Sequence, residues 1–432
     1  MESITILIPR IKPPEAHDII TKQLEIIFLK LEKFFKINLV WVSFQPFEFD
    51  EYDIKNFHVL DYHKFNDAVD LIEKVKPDLI IYESRLGING IAFSKAGKFK
   101  KIPIVTIIGY VGVSEDFGRT FSVKTSLNLI SSNKVLADSS VEKKSKKFAM
   151  LRYVIDKYVF LLKTLKKSNY TLWDLIKFVF FYPGVHIFGQ SYPPLHNITS
   201  GDLNFCFNQH LFSRLVKAGF KKSTILLEGD PIFDEFFTQI SKSKFQKPLT
   251  KKISILFCPT PMHEHGWLSK NDEDELILNM INNIKNYNDF DIALKIHPST
   301  SNYDEYKTLL EKTNHKVILY QKENTLDLLN KYDLMLTYGS SDVILEAVLL
   351  RKPVVLFKYS LEDKFNRFSD KNIIHECNSL SKLPFIMRNS ISHTITQQQF
   401  SSYIERHIGK FDGKNSERIA HEIYHFFQKM KT

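Results

Sequence analysis

Cysteine, glycine-rich loops and long uncharged runs are all scarce in this chain. Its three cysteines, Cys206, Cys258 and Cys377, lie far apart and form no CxxC pair. This spacing excludes a disulfide framework and favours buried, reduced thiols, as in a cytoplasmic protein. No window of about 20 residues is both apolar and free of charge, so no transmembrane helix is predicted. The pattern GxGxxG is absent, so NAD or FAD binding is not expected and no cofactor is predicted.

Apolar residues and positive charge are plentiful. Hydrophobic residues make up 44% of the 432 residues, which is ample for burial, and a chain of this length suggests two domains of about 200 residues each. The formal net charge of +10 implies an anionic partner, such as a nucleotide phosphate or an anionic lipid surface. Nucleic acid is not predicted, because no recognised binding motif accompanies the charge.

Short apolar runs alternate with amphipathic stretches of helical length along most of the chain. This alternation is typical of α/β proteins with parallel sheets. We predict two Rossmann-like, doubly wound domains that face a cleft. The first spans 1–240 and includes a helical excursion at 141–182, the basic segment 241–252 is the linker, and the second domain spans 253–432.

Lysines mix with Phe, Tyr and Trp throughout 143–180. A charged face opposite a bulky apolar face is typical of a helix that lies on a membrane surface. We therefore expect binding to an anionic membrane through this stretch. An ordinary helical excursion packed on the first domain is the alternative.

The segment 338–342, YGSSD, joins a buried strand to a helix. Glycine permits a tight turn close to a ligand, and the free N–H groups of a helix N-terminus attract anions. We predict that Gly339, Ser340 and Ser341 bind a nucleotide phosphate; simple N-capping by serine is the alternative. Glu346 lies slightly more than a turn into the helix, within reach of a ribose hydroxyl.

His297 and Pro298 follow an apolar strand, and the proline prevents simple continuation into a helix. A histidine at the carboxyl end of a strand can donate to a phosphate or protonate a leaving group near neutral pH. We predict that His297 acts on the leaving phosphate and that Pro298 lines the same site. A purely structural histidine is the alternative.

Two further nucleotide contacts are predicted in the loop after the strand 253–257, at Thr260 and His263. The HEH sequence at 263–265 could contribute to a metal site, but the sequence supplies no recognisable further ligands, so no metal is predicted.

Acidic residues follow two strands of the first domain. Glu83 comes after 78–82 and Glu115 comes soon after 103–108. Either carboxylate could act as a general base in the cleft; a surface acid is the alternative for each.

Several of these segments together resemble GT-B glycosyltransferases that build surface polysaccharides. GDPIFD at 229–234 resembles their Gly-x-Pro-x-x-Asp element, LKIHPST at 294–300 resembles their HP motif, and 326–357 resembles their Asp–SS–Glu–Pro stretch. HP and SS motifs of this kind occur in CDP-glycerol glycerophosphotransferases, bacterial sialyltransferases and Kdo-type capsule transferases. The resemblance covers mainly 203–360. The chain lacks the His-Gly element of the first group and the Asp-Asp-Gly element of the second.

The resemblance implies a metal-independent glycosyltransferase. It would move a sugar from a CMP- or UDP-linked donor, held by the second domain, to a glycan or lipid-linked acceptor at the cytoplasmic face of the membrane. Hydrolysing UDP-GlcNAc 2-epimerases share an HP and a Ser-rich loop, and IPRIKPPE at 8–15 partly echoes their Gly-Thr-Arg-Pro-Glu loop. A UDP-GlcNAc 2-epimerase-like enzyme and a non-catalytic protein with the GT-B fold are therefore the alternatives.

Overall fold

The described part of the chain divides into two compact units. The computed structural model describes residues 1–10, 14–16, 19–45, 48–83, 88–108, 143–171, 173, 200–217, 219–242, 252–264, 267–298, 301–313, 315–339, 341–359 and 368–431. The first unit takes the described residues up to Ile108, those from Lys143 to Gln239 and those from Ile408 onward, and the second takes Ile240 to His407. The last residues, predicted with the second domain, thus group with the first unit.

Each unit is built on a mainly parallel sheet with helices, and the predicted α/β architecture of two Rossmann-like domains is confirmed. In the first unit, the sheet order is β3-β4-β2-β1-β5-β6-β7-β8. Its strands are β1 Glu2–Arg10, β2 Phe35–Ser43, β3 Tyr52–Ile54, β4 Phe57–Asp61, β5 Leu79–Glu83, β6 Ile104–Ile108, β7 Leu203–Cys206 and β8 Ile225–Leu227. Its helices are α1 Ile19–Leu31, α2 Ala68–Val75, α3 Ile88–Lys100, α4 Lys143–Lys167, α5 Gln209–Lys217, α6 Ile232–Lys242 and, at the C-terminus, α13 Asn415–Lys431.

Alternating side chains of the first sheet enter two cores. Ile4, Ile6 and Ile8 of β1 pack in one core with residues of α1 and α13, whereas Leu7 packs in the other with residues of α2, α3 and α4. Successive side chains of a strand point to opposite faces, and helices cover both faces here. Strands buried on both faces are nearly continuous apolar runs, which is why most of them could be predicted.

Helix α4 occupies part of the predicted excursion 141–182. Two of the aromatic residues predicted to face a membrane, Tyr153 and Phe160, are 7% and 3% exposed. Phe160 belongs to the core beneath α4, and Lys157 is buried as well. This part of α4 is therefore a packed helix of the first unit. No described helix is both long enough and apolar enough to cross a membrane.

Hydrogen bonds connect the N-terminus of the C-terminal helix α13 to the first turn of α6. Asp234 accepts hydrogen bonds from the backbone N–H groups of Asn415 and Ser416, at 2.9 and 2.7 Å, and from the Ser416 hydroxyl at 2.7 Å. These bonds satisfy donors that a helix N-terminus leaves without intrahelical partners. Asp234 is the aspartate of the Gly-x-Pro-x-x-Asp element, so this element anchors the returning chain.

In the second unit, the sheet order is β11-β10-β9-β12-β13-β14, with all neighbouring strands parallel. Its strands are β9 Ile253–Phe257, β10 Phe290–Lys295, β11 Ile318–Tyr320, β12 Leu334–Tyr338, β13 Val354–Phe357 and β14 Ile374–Cys377. Its helices are α7 Lys270–Lys285, α8 Tyr303–Glu311, α9 Thr325–Lys331, α10 Val343–Leu349, α11 Leu383–Ser392 and α12 Gln397–His407. The strand order reverses between β9 and β12, which is where ligands bind in open α/β sheets.

Candidate functional site

Thr260 and Gly339 meet at the point where the second sheet reverses its strand order. Thr260 follows β9 and Gly339 follows β12, and the two strands are hydrogen-bonded neighbours. A Cβ atom added at Gly339 would lie 3.2 Å from the Thr260 Oγ1 and 2.8 Å from the Met262 Cε. Gly339 also has a φ of +72°, in the left-handed region that side chains disfavour. Only glycine therefore fits at position 339, and no side chain covers the backbone there.

The Thr260 hydroxyl is buried without a partner. The residue is 3% exposed, and no described group hydrogen-bonds its Oγ1. Leaving a buried polar group unpaired costs on the order of 1–3 kcal/mol. A functional site is a place where such a cost is tolerated, because a ligand can supply the missing partner. Of the predicted nucleotide contacts, Thr260 and Gly339 are the pair whose proximity the structure demonstrates.

Glu273 holds the loop that carries Thr260 and His263. Its carboxylate accepts hydrogen bonds from the backbone N–H groups of Met262 and His263, at 2.9 and 3.0 Å, and from the Tyr338 hydroxyl at 2.9 Å. Burial, and then the charge of Glu264, raise the pKa of Glu273 above its ordinary value. Three donors compensate for burying this side chain. The sequence analysis missed Glu273, since an acid inside the amphipathic pattern of α7 looks like a solvent-exposed one.

Glu346 lies on α10 close to the buried Lys295. Burial, and then the charge of Asp342, raise the pKa of Glu346 to about 7, while the charge of Lys295 opposes this. The Lys295 ammonium donates to the Gln321 carbonyl at 2.6 Å, and burial lowers its pKa. Lys295 was left out of the predicted site, yet it is a buried cation near the predicted ribose contact.

The predicted serine loop is described in part. Ser340 lies outside the described residues, and Ser341 is half-buried. The N-cap position of α10 is held by Asp342, which makes no side-chain capping hydrogen bond. Phosphate binding by Ser340 and Ser341 and the alternative of simple capping both stay predictions.

His297 and Pro298 follow β10 and are both exposed. Strand β9 separates β10 from β12, so the His297 loop is next to the Thr260 loop and one strand farther from Gly339. His263 is also exposed. The roles of these three residues stay predictions.

At the reversal point of the first sheet lies a buried ion pair. The Arg10 guanidinium at the end of β1 is 3.2 Å from the Glu83 carboxylate at the end of β5, and the two side chains are 7% and 12% exposed. Glu83 was predicted as a general base, and that role stays a prediction. Arg10 was not predicted. Glu115, the other predicted base, lies outside the described residues.

A family model described as UDP-N-acetylglucosamine 2-epimerase matches residues 198–423, slightly more than half of the chain. The chain belongs to this family. The expectation of a glycosyltransferase was wrong, because this match favours the epimerase that had been kept as an alternative. It also does not support the glycerophosphotransferase, sialyltransferase and Kdo-transferase families specifically. A comparison with curated proteins gives no match.

Solved structures with similar folds include epimerases and a glycosyltransferase. S. aureus MnaA in complex with UDP is 14% identical, with 99% of this chain and 97% of that one covered and a TM-score of 0.50. UDP-GlcNAc 2-epimerase from Methanocaldococcus jannaschii is 14% identical, with coverages of 98% and 99% and a TM-score of 0.51. The glycosyltransferase of kitacinnamycin is 10% identical, with coverages of 98% and 99% and a TM-score of 0.52. At these identities the likeness shows the GT-B-like fold.

Proposed function

We propose that this member of the epimerase family is an enzyme that inverts C2 of a UDP-linked N-acetylhexosamine. The family match supports the reaction, and UDP in the complex of S. aureus MnaA, a protein of similar fold, supports the nucleotide. The structural observation that carries the proposal is the unpartnered Thr260 hydroxyl beside the bare backbone of Gly339. This pair lies at the reversal point of the sheet, where nucleotides bind in doubly wound folds.

The diphosphate would lie over Gly339 and accept a hydrogen bond from the Thr260 hydroxyl. Ser340 and Ser341 would add hydroxyl donors, as the sequence predicted. The ribose would then extend toward Glu346, whose carboxylate can accept hydrogen bonds from ribose hydroxyls. His297, in the loop next to that of Thr260, would stabilise charge on the departing phosphate.

The first test measures nucleotide binding to Thr260→Val and to a matched control. Valine keeps the shape of threonine but cannot donate, so UDP should stabilise this variant against heat much less than the wild type, since ligand stabilisation follows affinity. Thr313 is also buried, and its hydroxyl donates within the protein to the Leu310 carbonyl at 2.7 Å. Thr313→Val should therefore lose stability and keep its response to UDP. Equal UDP responses in both variants would contradict the placement.

The second test follows C2 itself. Inversion breaks and remakes the C2–H bond, so UDP-N-acetylglucosamine incubated with the protein in D2O should acquire deuterium at C2 and interconvert with its C2 epimer. Proton NMR detects both changes. Binding of UDP without exchange at C2 would leave a nucleotide-binding protein and contradict the epimerase.

A further inference from the structure

An acidic residue stands in the apolar face of α7. The positions three, four, seven and eight residues after Glu273 hold Leu276, Ile277, Met280 and Ile281, and all of these side chains are buried. Residues at these spacings share one face of a helix, so Glu273 takes a core position, where it is 0% exposed. Burying a carboxylate costs more free energy than burying an apolar side chain. Packing alone therefore does not explain an acid at this position.

The three donors to Glu273 come from both strands at the reversal point of the second sheet. Two successive backbone N–H groups of the loop after β9, those of Met262 and His263, donate to its two carboxylate oxygens. The third donor is the hydroxyl of Tyr338, which is the last residue of β12 and directly precedes Gly339. One carboxylate thus connects the loop after β9 to the end of β12.

The pairing of β9 with β12 ends before it reaches the site. The Cys258 N–H donates to the Leu336 carbonyl at 2.8 Å, and the Thr337 hydroxyl donates to the Cys258 carbonyl at 2.6 Å. No later backbone hydrogen bond joins the two segments among the residues that the structure describes. The sheet by itself therefore does not fix how Thr260 lies relative to Gly339. Two groups that share one ligand must keep their spacing to within about 0.5 Å, and side chains behind them have to provide this precision.

We propose that Glu273 is a positioning residue that fixes the loop of Thr260 against Gly339, so that both residues can contact one nucleotide diphosphate. This role rests on the proposed function. Glu273 acts through the two segments that it connects and not on the nucleotide itself. An ionised carboxylate suits the role, because it accepts hydrogen bonds on both oxygens and donates none. Glutamine has the same shape but only one accepting oxygen, so Glu273→Gln leaves at least one of the three donors without a partner.

A second carboxylate of the same unit makes the matched control. Asp333 directly precedes β12, and it accepts hydrogen bonds from the backbone N–H and the hydroxyl of Ser254 in β9, at 2.8 and 2.7 Å. Asp333 thus connects the amino ends of the two strands that Glu273 connects at their carboxyl ends. Asp333→Asn makes the same chemical change as Glu273→Gln, at the edge of the sheet where no ligand is proposed.

The test compares the affinities of these variants for UDP and for uridine, at a temperature where all of them are folded. Glu273→Gln should raise the Kd for UDP about tenfold, the size expected from losing one hydrogen bond to a charged group. Its Kd for uridine should stay at the wild-type value, because uridine has no phosphate to be held. Asp333→Asn should lose thermal stability and bind both ligands like the wild type. Calorimetry measures UDP binding, and NMR titration measures uridine binding.

Tyr338→Phe tests the connection from its other side and covers a Glu273→Gln variant that does not fold. It removes one hydroxyl and should raise the Kd for UDP about fivefold, again without an effect on uridine. Both substitutions weaken one connection, so the double variant should lose less affinity than the product of the two separate losses. Normal UDP binding by Tyr338→Phe, or a double variant that shows the full product, would overturn the connection.

The remaining outcomes separate this role from the nucleotide site on which it rests. A wild type that does not bind UDP would contradict the site and the role of Glu273 together. Wild-type UDP affinity in Glu273→Gln would contradict the role of Glu273 alone. Equal weakening of UDP and uridine binding, or an equal loss of UDP affinity in Asp333→Asn, would assign the effect to a general disturbance of the fold and would also overturn the role.

Discussion

The two sheets reverse their strand order at equivalent places, and the residues there differ in kind. In the first unit, the ends of β1 and β5 carry Arg10 and Glu83, a buried ion pair. In the second, the ends of β9 and β12 lead to Thr260 and Gly339, a lone hydroxyl beside bare backbone. A neutral, close-fitting edge suits a ligand that brings its own charge, such as a diphosphate. An edge with fixed charges can stabilise charge that develops on a bound group.

The largest expected effect comes from breaking the ion pair. Arg10→Met would remove the guanidinium that pairs with the buried Glu83 carboxylate, and removing one member of a buried pair typically costs about 3–5 kcal/mol. Urea unfolding should show a loss of this size. Arg10→Met combined with Glu83→Gln should recover part of the lost stability, because the buried carboxylate charge is then removed.

An exposed ion pair of the same unit is the control. Lys55 and Glu25 are 2.9 Å apart with side chains 55% and 30% exposed, and such pairs contribute about 0–1 kcal/mol. Lys55→Met should therefore change the free energy of unfolding little. Similar losses for Arg10→Met and Lys55→Met would show that burial of the Arg10–Glu83 pair adds nothing to stability. The contrast between the ends of the two sheets would then be lost.

The second edge can be tested with two glycines that share one backbone conformation. Gly339 and Gly413 both have a φ of +72°, and alanine in that region costs about 1–2 kcal/mol. Gly339→Ala should lose this stability and also raise the Kd for UDP at least tenfold, as its methyl group enters the space beside Thr260. Gly413→Ala, in the first unit, should lose similar stability and bind UDP normally. Normal binding by Gly339→Ala would contradict the nucleotide site.

A smaller effect should appear in the pH dependence of the second edge. The pKa of Glu346 is raised to about 7 by burial and by Asp342, so its contribution to stability is present at low pH and is lost as the pH rises through 7. Binding should change in the opposite direction, because ionised Glu346 is the stronger acceptor for ribose hydroxyls. We expect UDP-N-acetylglucosamine to bind about fivefold more tightly at pH 8 than at pH 6, a difference of about 1 kcal/mol.

The isosteric variant Glu346→Gln removes the titration. Calorimetry should then give an affinity that is almost constant between these pH values, and thermal unfolding of the free protein should lose the corresponding pH dependence. Wild-type pH dependence in Glu346→Gln would assign the effect to another group.

The strands of both reversal points could be predicted because burial on both faces makes them apolar runs. Thr260 and Gly339 were predicted from their positions beyond such strands, and Glu346 was predicted from its position slightly more than a turn into the helix that follows Gly339. Arg10 was passed over because it ends a strand that showed no glycine-rich loop. The short strand β4 was missed, since FHVLD is only five residues long and its apolar run is interrupted by His58. With it, the pair formed by the buried Asp61 and His63, whose Oδ1 and Nδ1 are 2.7 Å apart, was missed, although an Asp-x-His spacing at a strand end is a visible signal.

Helix boundaries and helix partners were harder to predict. Helix α1 ends at Leu31 and Phe35 begins β2. The apolar pattern of the sequence does not mark this boundary, because it runs on through the turn between them. In α4, Tyr153 and Phe160 pack inside the protein. Periodicity shows that a face is apolar; it does not distinguish a lipid surface from the core of the same domain.

The last comparison lies within α4, between a lysine that faces solvent and one that does not. Binding of 143–180 to an anionic membrane stays a proposal, and the structure sharpens it. Lys163 and Lys166 are exposed, as are Ile155 and Val159, whereas Lys157 is buried and donates to the Tyr153 hydroxyl at 3.0 Å. Burial lowers the pKa of Lys157 to about 8. An exposed lysine can approach a lipid headgroup, and a buried one cannot.

Each lysine near an anionic leaflet contributes roughly 1 kcal/mol to binding, which is about a fivefold change in affinity. Lys163→Gln should therefore weaken binding to phosphatidylserine vesicles by about this factor at low salt, and high salt should reduce the difference because the attraction is screened. Lys157→Gln should bind vesicles like the wild type, while its thermal stability changes through the contact with Tyr153. Sedimentation with vesicles measures both. Wild-type binding that is absent at low salt would exclude the membrane role, and α4 would then serve only to pack the first unit.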